Sequence, residues 1–273
     1  MSFLEAVLLG ILEGATEFLP ISSTGHLILA SNLLAIPETP FLTSFLIAVQ
    51  LGAIAAVLLA YWRSFLDFEV LKRLTAAFLP TAIIGFILYK VIKGYLLNNE
   101  LVVIISLLVG GIVIIAFEHF HKEKSAGEGT AVITDTGTEG ASTSSPDSLA
   151  SIRYRDAVAI GLFQSIAVIP GVSRSAATII GGMLLGIRRA AIVEFSFLLA
   201  VPTMLAATGY DLLKTYDTFE AGNITLLLTG AATAFAVAFI AIRFLIAFVK
   251  RYSFTPFGVY RIVLALVFLA FVL

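Results

Sequence analysis

The chain has no cysteine among its 273 residues. That single absence removes disulfides, thiol nucleophiles and cysteine-ligated metals together. Charge is scarce as well: Asp, Glu, Lys and Arg make up 13% of the residues, against about a quarter in soluble globular proteins. The formal net charge is −1, so the chain lacks the basic face needed to bind phosphate backbones, and nucleic acid is excluded as a partner. No basic n-region stands at the start, where Glu5 sits instead, and polar residues interrupt the first apolar run from Glu13 onward. A cleavable signal peptide is therefore not expected, and the first segment is expected to remain in the protein. What fills the chain instead is apolar side chains, 59% of the total, with a mean hydropathy of +1.03. This composition predicts an all-α, polytopic membrane protein.

Apolar runs of spanning length lie at roughly 41–61, 74–92, 101–117, 190–209, 224–249 and 256–273, which predicts six transmembrane helices. Two further segments, 3–36 and 156–187, differ in kind. In each, two half-length apolar stretches flank a Pro/Gly/Ser-rich break, at 20–25 and 170–175. Non-helical backbone at membrane depth must be buried in protein or line a wet cavity, so re-entrant helix pairs are expected. Basic residues orient the arrangement, because short cytoplasmic loops are enriched in Lys and Arg. Arg63, Lys72 and Arg73, then Lys122 and Lys124, Arg188 and Arg189, and Lys250 and Arg251 fall on one side if 156–187 enters from the cytoplasm and 3–36 from outside. Lys90 and Lys93 count mildly against this. The expected architecture is two inverted repeats, 1–121 and 151–273, each a re-entrant helix pair plus three transmembrane helices. A polar flexible linker over 122–150, rich in Gly, Ser, Thr and acidic residues, is expected to join them. Inverted repeats with broken helices place a site at the repeat interface.

Both breaks carry costly polar groups. The first reads E-G-A-T-E-F-L-P-I-S-S-T-G-H from Glu13 to His26, and the second P-G-V-S-R-S-A-A-T from Pro170 to Thr178. Ionisable side chains at membrane depth are functional candidates with partners elsewhere. Glu13 and Glu17 stand four apart and share a helix face about 6 Å apart. Two such carboxylates do not both ionise comfortably in low dielectric, so a shared proton or a cation between them is expected. His26 follows Ser23 by three residues, a spacing that can pair a nucleophile with its base. The plainer reading is that Ser22, Ser23 and Thr24 cap the second half-helix. Arg174, flanked by Ser173 and Ser175 after the Pro170-Gly171 turn and with Thr178 one turn on, forms a receptor suited to phosphate oxygens. The plainer reading is a structural bridge to Glu13 or Glu17, and the two can coexist before a ligand binds. Gln164 is expected to hydrogen-bond the broken backbone, while Gln50 and Arg243 are explained by bundle hydrogen bonds and snorkelling.

Taken together, the two motifs resemble those of the bacterial undecaprenyl-diphosphate phosphatase family, associated with bacitracin resistance. The resemblance covers the whole chain in length and segment pattern, although the linker of about 30 residues is longer than usual. It implies an integral enzyme of the bacterial cytoplasmic membrane that hydrolyses undecaprenyl diphosphate to undecaprenyl phosphate and inorganic phosphate, with its site facing the extracytoplasmic side. The catalytic set it implies is Glu13, Glu17, Ser23, His26 and Arg174. Ser173, Arg174, Ser175 and Thr178 would bind phosphate, supported by Ser22, Thr24 and Gly171. A divalent cation, Mg or Ca, would use Glu13 and Glu17 if any residues. Oligomeric state is left open, a homodimer included. The alternative class is a lipid-phosphate transporter or flippase, which the expected architecture also suits.

Overall fold

The computed structural model describes residues 1–96, 99–121, 149, 152–215 and 221–272. Apart from Leu149, the expected linker over 122–150 lies outside the described residues. Among those residues there is no strand, and the elements are helices α1 (Phe3–Thr16), α2 (Ser23–Leu33), α3 (Pro40–Ala48), α4 (Gln50–Ala60), α5 (Phe68–Val91), α6 (Glu100–Phe120), α7 (Tyr154–Ser165), α8 (Arg174–Leu184), α9 (Arg189–Thr215), α10 (Ala221–Val249) and α11 (Thr255–Val272).

Five apolar helical stretches are long enough to cross a membrane: Pro40–Ala60, Phe68–Val91, Glu100–Phe120, Arg189–Lys214 and Asn223–Val249. The first is α3 and α4 in series, interrupted at Val49. The sixth expected span is helical, but its apolar stretch, Thr255–Ala270, is shorter than the other five. On α5 and α6, Ile83, Phe86, Ile87, Ile105, Val109 and Ile112 are exposed. That is the surface a bilayer, rather than water, accommodates.

Both anticipated broken segments are helix–break–helix units. In the first, α1 ends at Thr16 and α2 begins at Ser23; in the second, α7 ends at Ser165, a 3₁₀ turn covers Ile166–Val168, and α8 begins at Arg174. The residues preceding α2 and α8 have the same unusual backbone, Ser22 at φ 70° and Ser173 at φ 74°. Non-glycine residues rarely adopt positive φ, and the strain persists only where surrounding structure holds it. Each serine also caps its helix: the Ser22 hydroxyl accepts from the Gly25 amide at 3.4 Å and the Ser173 hydroxyl from the Ala176 amide at 3.3 Å. These are the capping bonds that Ser-rich helix starts favour.

Packing pairs the elements of one half with those of the other. Helix α1 packs on α10 and α7 on α5, α4 packs on α9 and α10, α9 also on α5, and α6 packs on α11. The α1–α10 approach is close because Gly10 and Gly14 face Gly230 and Ala234, where a Cβ on either glycine would collide with backbone. Small residues spaced by four serve the same purpose in other membrane helix pairs. Phe18, in the first break, meets Phe197 of α9 edge-on at 5.2 Å between ring centroids, within the largest buried apolar cluster. The described basic stretches, 62–73, 188–189 and 250–251, lie at one end of the bundle. Arg73 Nε, near the start of α5, donates to the Ile152 carbonyl at 2.6 Å, two residues before α7 begins. Arg189 pairs with Glu118 at 3.1 Å and donates to the Tyr252 carbonyl at 3.0 Å, joining the end of α6, the start of α9 and the α10–α11 turn.

Candidate active site

The breaks bring the two motifs face to face. Arg174, first residue of α8, reaches from the second motif to the first and pairs through Nη2 with Glu17 Oε1 at 3.0 Å. Its Nη1 donates to the Ser196 carbonyl of α9 at 2.8 Å. The second oxygen of Glu17 accepts a hydrogen bond from the Ser23 hydroxyl. Ser23, Glu17 and Arg174 therefore form one connected line of hydroxyl, carboxylate and guanidinium, drawn from both motifs. All three are largely shielded, with the Arg174 and Glu17 side chains 11% and 5% exposed.

Glu13 lies one turn deeper on α1 and is fully buried. Its carboxylate faces Glu17, with Arg174 the nearby cation, and has no other partner among the described residues. The anticipated pairing of the two acids is thus present. Arg174 is the cation beside it.

His26 is placed differently from the spacing argument. Its Nδ1 lies 2.7 Å from the Ser22 carbonyl and its Nε2 2.8 Å from the Tyr260 hydroxyl. A carbonyl only accepts, so Nδ1 carries a proton. The ring also stacks parallel on Tyr260, with centroids 5.5 Å apart. Ser23 and His26 do sit on the first turn of one helix, but the imidazole turns back to the capping carbonyl and across to α11. The hydroxyl turns to Glu17 instead.

Two residues expected to hold phosphate serve the architecture. The Ser175 hydroxyl donates to the Leu19 carbonyl at 2.8 Å, tying the second break to the first, and receives the Ser173 hydroxyl at 3.0 Å. The fully buried Thr178 hydroxyl lies 2.9 Å and 3.0 Å from the Arg174 and Ser175 carbonyls and 2.6 Å from the Ser196 hydroxyl. Thr178 thereby fixes Ser196, which in turn receives Arg174. Gln164 does not bond the broken backbone: its amide donates to Thr81 at 2.9 Å and Thr203 at 3.1 Å, and it is the Thr81 hydroxyl that reaches the Gly161 carbonyl. Arg243 lies over the Phe239 ring at 4.3 Å.

A cavity of about 620 Å³ opens onto this line. Glu17, Ser22, Ser23, Thr24, Gly171, Ser173 and Arg174 are among its lining residues. Glu13, His26, Ser175 and Thr178 stand behind that surface. Leu27, Ile28, Leu46, Ile47, Phe78 and Phe86 supply apolar wall, with Gln50, Tyr89 and Asp211 also in the lining. Asp211 receives hydrogen bonds from Ser44 at 3.3 Å and Tyr89 at 3.4 Å. A charged, hydroxyl-rich end with a long apolar wall suits a ligand that is anionic at one end and hydrocarbon along the rest.

Among the described residues, no group of three or more histidine or acidic side chains is placed to hold a metal. Glu17 already has both oxygens engaged. The two glutamates fall short of a closed site, but magnesium is commonly held by one or two carboxylates together with substrate phosphates. On that basis Glu13 and Glu17 are the residues that would hold an ion brought in with a phosphate ligand, and its contribution would be to offset phosphate charge.

Three participants were not singled out from the sequence. Tyr260 holds His26, Ser196 holds Arg174, and Arg261, fully buried, donates to carbonyls of both breaks. Arg261 carried a usable signal, since an arginine inside an apolar run warrants the attention given to Arg174. Ser196 carried none, because a serine in a transmembrane helix ordinarily bonds its own backbone.

Comparison with known proteins places the chain in a family. The family model for bacitracin resistance protein BacA matches residues 6–267. The chain is 50% identical over 274 residues to the undecaprenyl-diphosphatase of Persephonella marina, with 100% of each chain covered. It is 49% identical over 270 residues to the undecaprenyl-diphosphatase of Aquifex aeolicus, covering 98% of each, and 45% identical over 273 residues to that of Thermus thermophilus, covering 98% of this chain and 97% of the other. With its two motifs meeting inside a helical membrane bundle and the family model spanning nearly its full length, this chain belongs to the bacitracin resistance protein BacA family.

Proposed function

We propose that the protein hydrolyses undecaprenyl diphosphate to undecaprenyl phosphate and inorganic phosphate, renewing a lipid carrier for cell-wall synthesis. The observation that carries the reading is the Ser23–Glu17–Arg174 line at the polar end of an otherwise apolar cavity. The names of the relatives support it. In the resting arrangement Arg174 is neutralised by Glu17; an entering diphosphate offers the guanidinium more negative oxygens than a single carboxylate does. Arg174 then turns to the terminal phosphate, where its planar donors match the oxygens and offset charge that builds up on them. Ser23 attacks the terminal phosphorus while Glu17, already its hydrogen-bond acceptor, takes the proton. The bond from phosphorus to the bridging oxygen breaks, and undecaprenyl phosphate leaves with that oxygen. Water then attacks the phosphoserine, the phosphorus–Oγ bond breaks, and the proton held by Glu17 returns to Oγ. His26 and Thr178 act in this scheme by holding the first turn of α2 and the seat of Arg174.

The reciprocal packing, α1 on α10 with α7 on α5 and α4 on α10 with α9 on α5, supports two inverted repeats, 1–121 and 151–273, joined by the 122–150 segment. Gathering of the basic loops at one end supports a cytoplasmic face there, in the bacterial inner membrane, with the site serving the extracytoplasmic side. The transporter reading draws on the same broken helices. Phosphate release from undecaprenyl diphosphate by purified protein in detergent separates the two, since no membrane gradient exists there. Release at a rate that Ser23→Ala abolishes is expected; no release from the wild type would overturn the hydrolase reading.

A further inference from the structure

Helix α11 brings an arginine to the point where the two breaks meet, and its bonding is complete. A guanidinium has five N–H groups in one rigid fork. In Arg261 Nε donates to the Leu107 carbonyl at 3.3 Å, Nη1 to Pro20 at 3.3 Å and Val172 at 2.9 Å, and Nη2 to Ser106 at 2.9 Å and Gly171 at 2.8 Å. All five acceptors are main-chain carbonyls, one from the first break, two from the second and two from α6. Gly110 of α6 makes the room: a Cβ there would overlap the guanidinium.

We propose that Arg261 is a positioning residue for phosphoryl transfer, a clamp that sets the distance between the two breaks, with Gly110 as its seat. The proposal rests on the hydrolase reading above. Pro20 stands two residues before Ser22, and Val172 immediately before Ser173, the two serines held at positive φ. Such backbone stays only where neighbouring contacts over-determine it. By fixing the carbonyls beside them, Arg261 holds Ser22 and Ser173, and so the first residues of α2 and α8. Those first residues are Ser23 and Arg174.

The consequences of loosening the clamp are unequal. Arg174 reaches phosphate on a long side chain and tolerates a small shift of its backbone. Ser23 acts from a single carbon, and misplacement of a reacting group by about 1 Å costs on the order of a hundredfold in rate. The loss therefore falls on kcat. Arg261→Lys keeps the charge but offers three donors from one point. Gly110→Ala keeps every donor and displaces the fork.

The test measures phosphate release from undecaprenyl diphosphate by detergent-purified wild type, Arg261→Lys, Gly110→Ala and the double variant. Each single variant is expected to lose about 10- to 100-fold in kcat with KM within about threefold, and the double variant to be no worse than the poorer single one, as residues acting through one contact are non-additive. Wild-type kcat in Gly110→Ala, a loss confined to KM, or losses that multiply in the double variant would overturn the clamp. If Arg261→Lys does not yield folded protein, Gly110→Ala decides alone; if neither folds, Arg261 serves folding only and the proposal falls. A wild type that releases no phosphate overturns the reading beneath it as well, whereas wild-type release with unimpaired variants overturns the clamp alone.

Discussion

Glu17→Gln changes one atom of the side chain and separates two roles that Glu17 holds at once. The amide keeps the shape and one acceptor for the Ser23 hydroxyl, but it cannot take the proton that Ser23 must lose. Positioned general bases contribute about 10²- to 10⁴-fold, which at about 1.36 kcal/mol per decade is roughly 2.7 to 5.4 kcal/mol of transition-state stabilisation. A fall of that size in kcat is expected. The same change removes the carboxylate that holds Arg174 at 3.0 Å. Because the phosphate and Glu17 compete for this guanidinium, binding of a non-hydrolysable methylene-bridged prenyl diphosphonate should tighten. A charged hydrogen bond is worth about 1.5 to 3 kcal/mol, and the substituted amide recovers part of it, so a gain of up to about tenfold is expected. Phosphate release gives kcat, and displacement of a labelled diphosphonate gives affinity. The variant also leaves Arg174 partly buried without its counter-charge, so a lower melting temperature is expected. The reasoning would be refuted by kcat within about threefold of wild type, or by weaker diphosphonate binding in folded Glu17→Gln protein.

Arg174→Lys should lose most activity, because an ammonium cannot hold the Ser196 carbonyl and a phosphate in one plane; turnover assays that show wild-type rates would remove the fork from the scheme. Tyr260→Phe deletes the hydroxyl on His26 but keeps the stacked ring, and should lower kcat less than tenfold; a loss matching that of Glu17→Gln would assign the proton from Ser23 to His26 instead. Ser175→Ala breaks the 2.8 Å tie to Leu19 and should cost about 1 kcal/mol in stability, read as a lower midpoint in thermal unfolding, with KM for the diphosphate little changed. A large rise in KM there would place Ser175 on the phosphate.

Much of the architecture could be read from the sequence because membrane depth makes polar groups expensive. Six apolar runs and two broken segments were visible as composition alone, and the starts of α2 and α8 follow Ser-rich breaks whose capping chemistry is local. Charge allows Arg174 a glutamate partner, since neither is tolerable alone at membrane depth, but the sequence does not choose between Glu13 and Glu17. Direction was not visible. Whether Ser23 turns to Glu17 or His26 depends on where α11 delivers Tyr260, a contact across 234 positions in sequence. Thr178 and Ser175 suit phosphate as hydroxyls beside an arginine; their bonds to Ser196 and Leu19 come from distant elements and are not visible in the sequence. Arg261 stands in an apolar run, where the cost of burying a guanidinium requires acceptors such as those the breaks supply.

The central claim is that Ser23, unmasked by Glu17 and opposed by Arg174, becomes phosphorylated. Acid quench of the wild type during turnover of undecaprenyl diphosphate labelled in its terminal phosphate, followed by peptide mapping, addresses it directly. The account predicts label on the peptide containing Ser23, absent in Ser23→Ala, with phosphate release lost in the same variant. Full phosphate release by Ser23→Ala would contradict it.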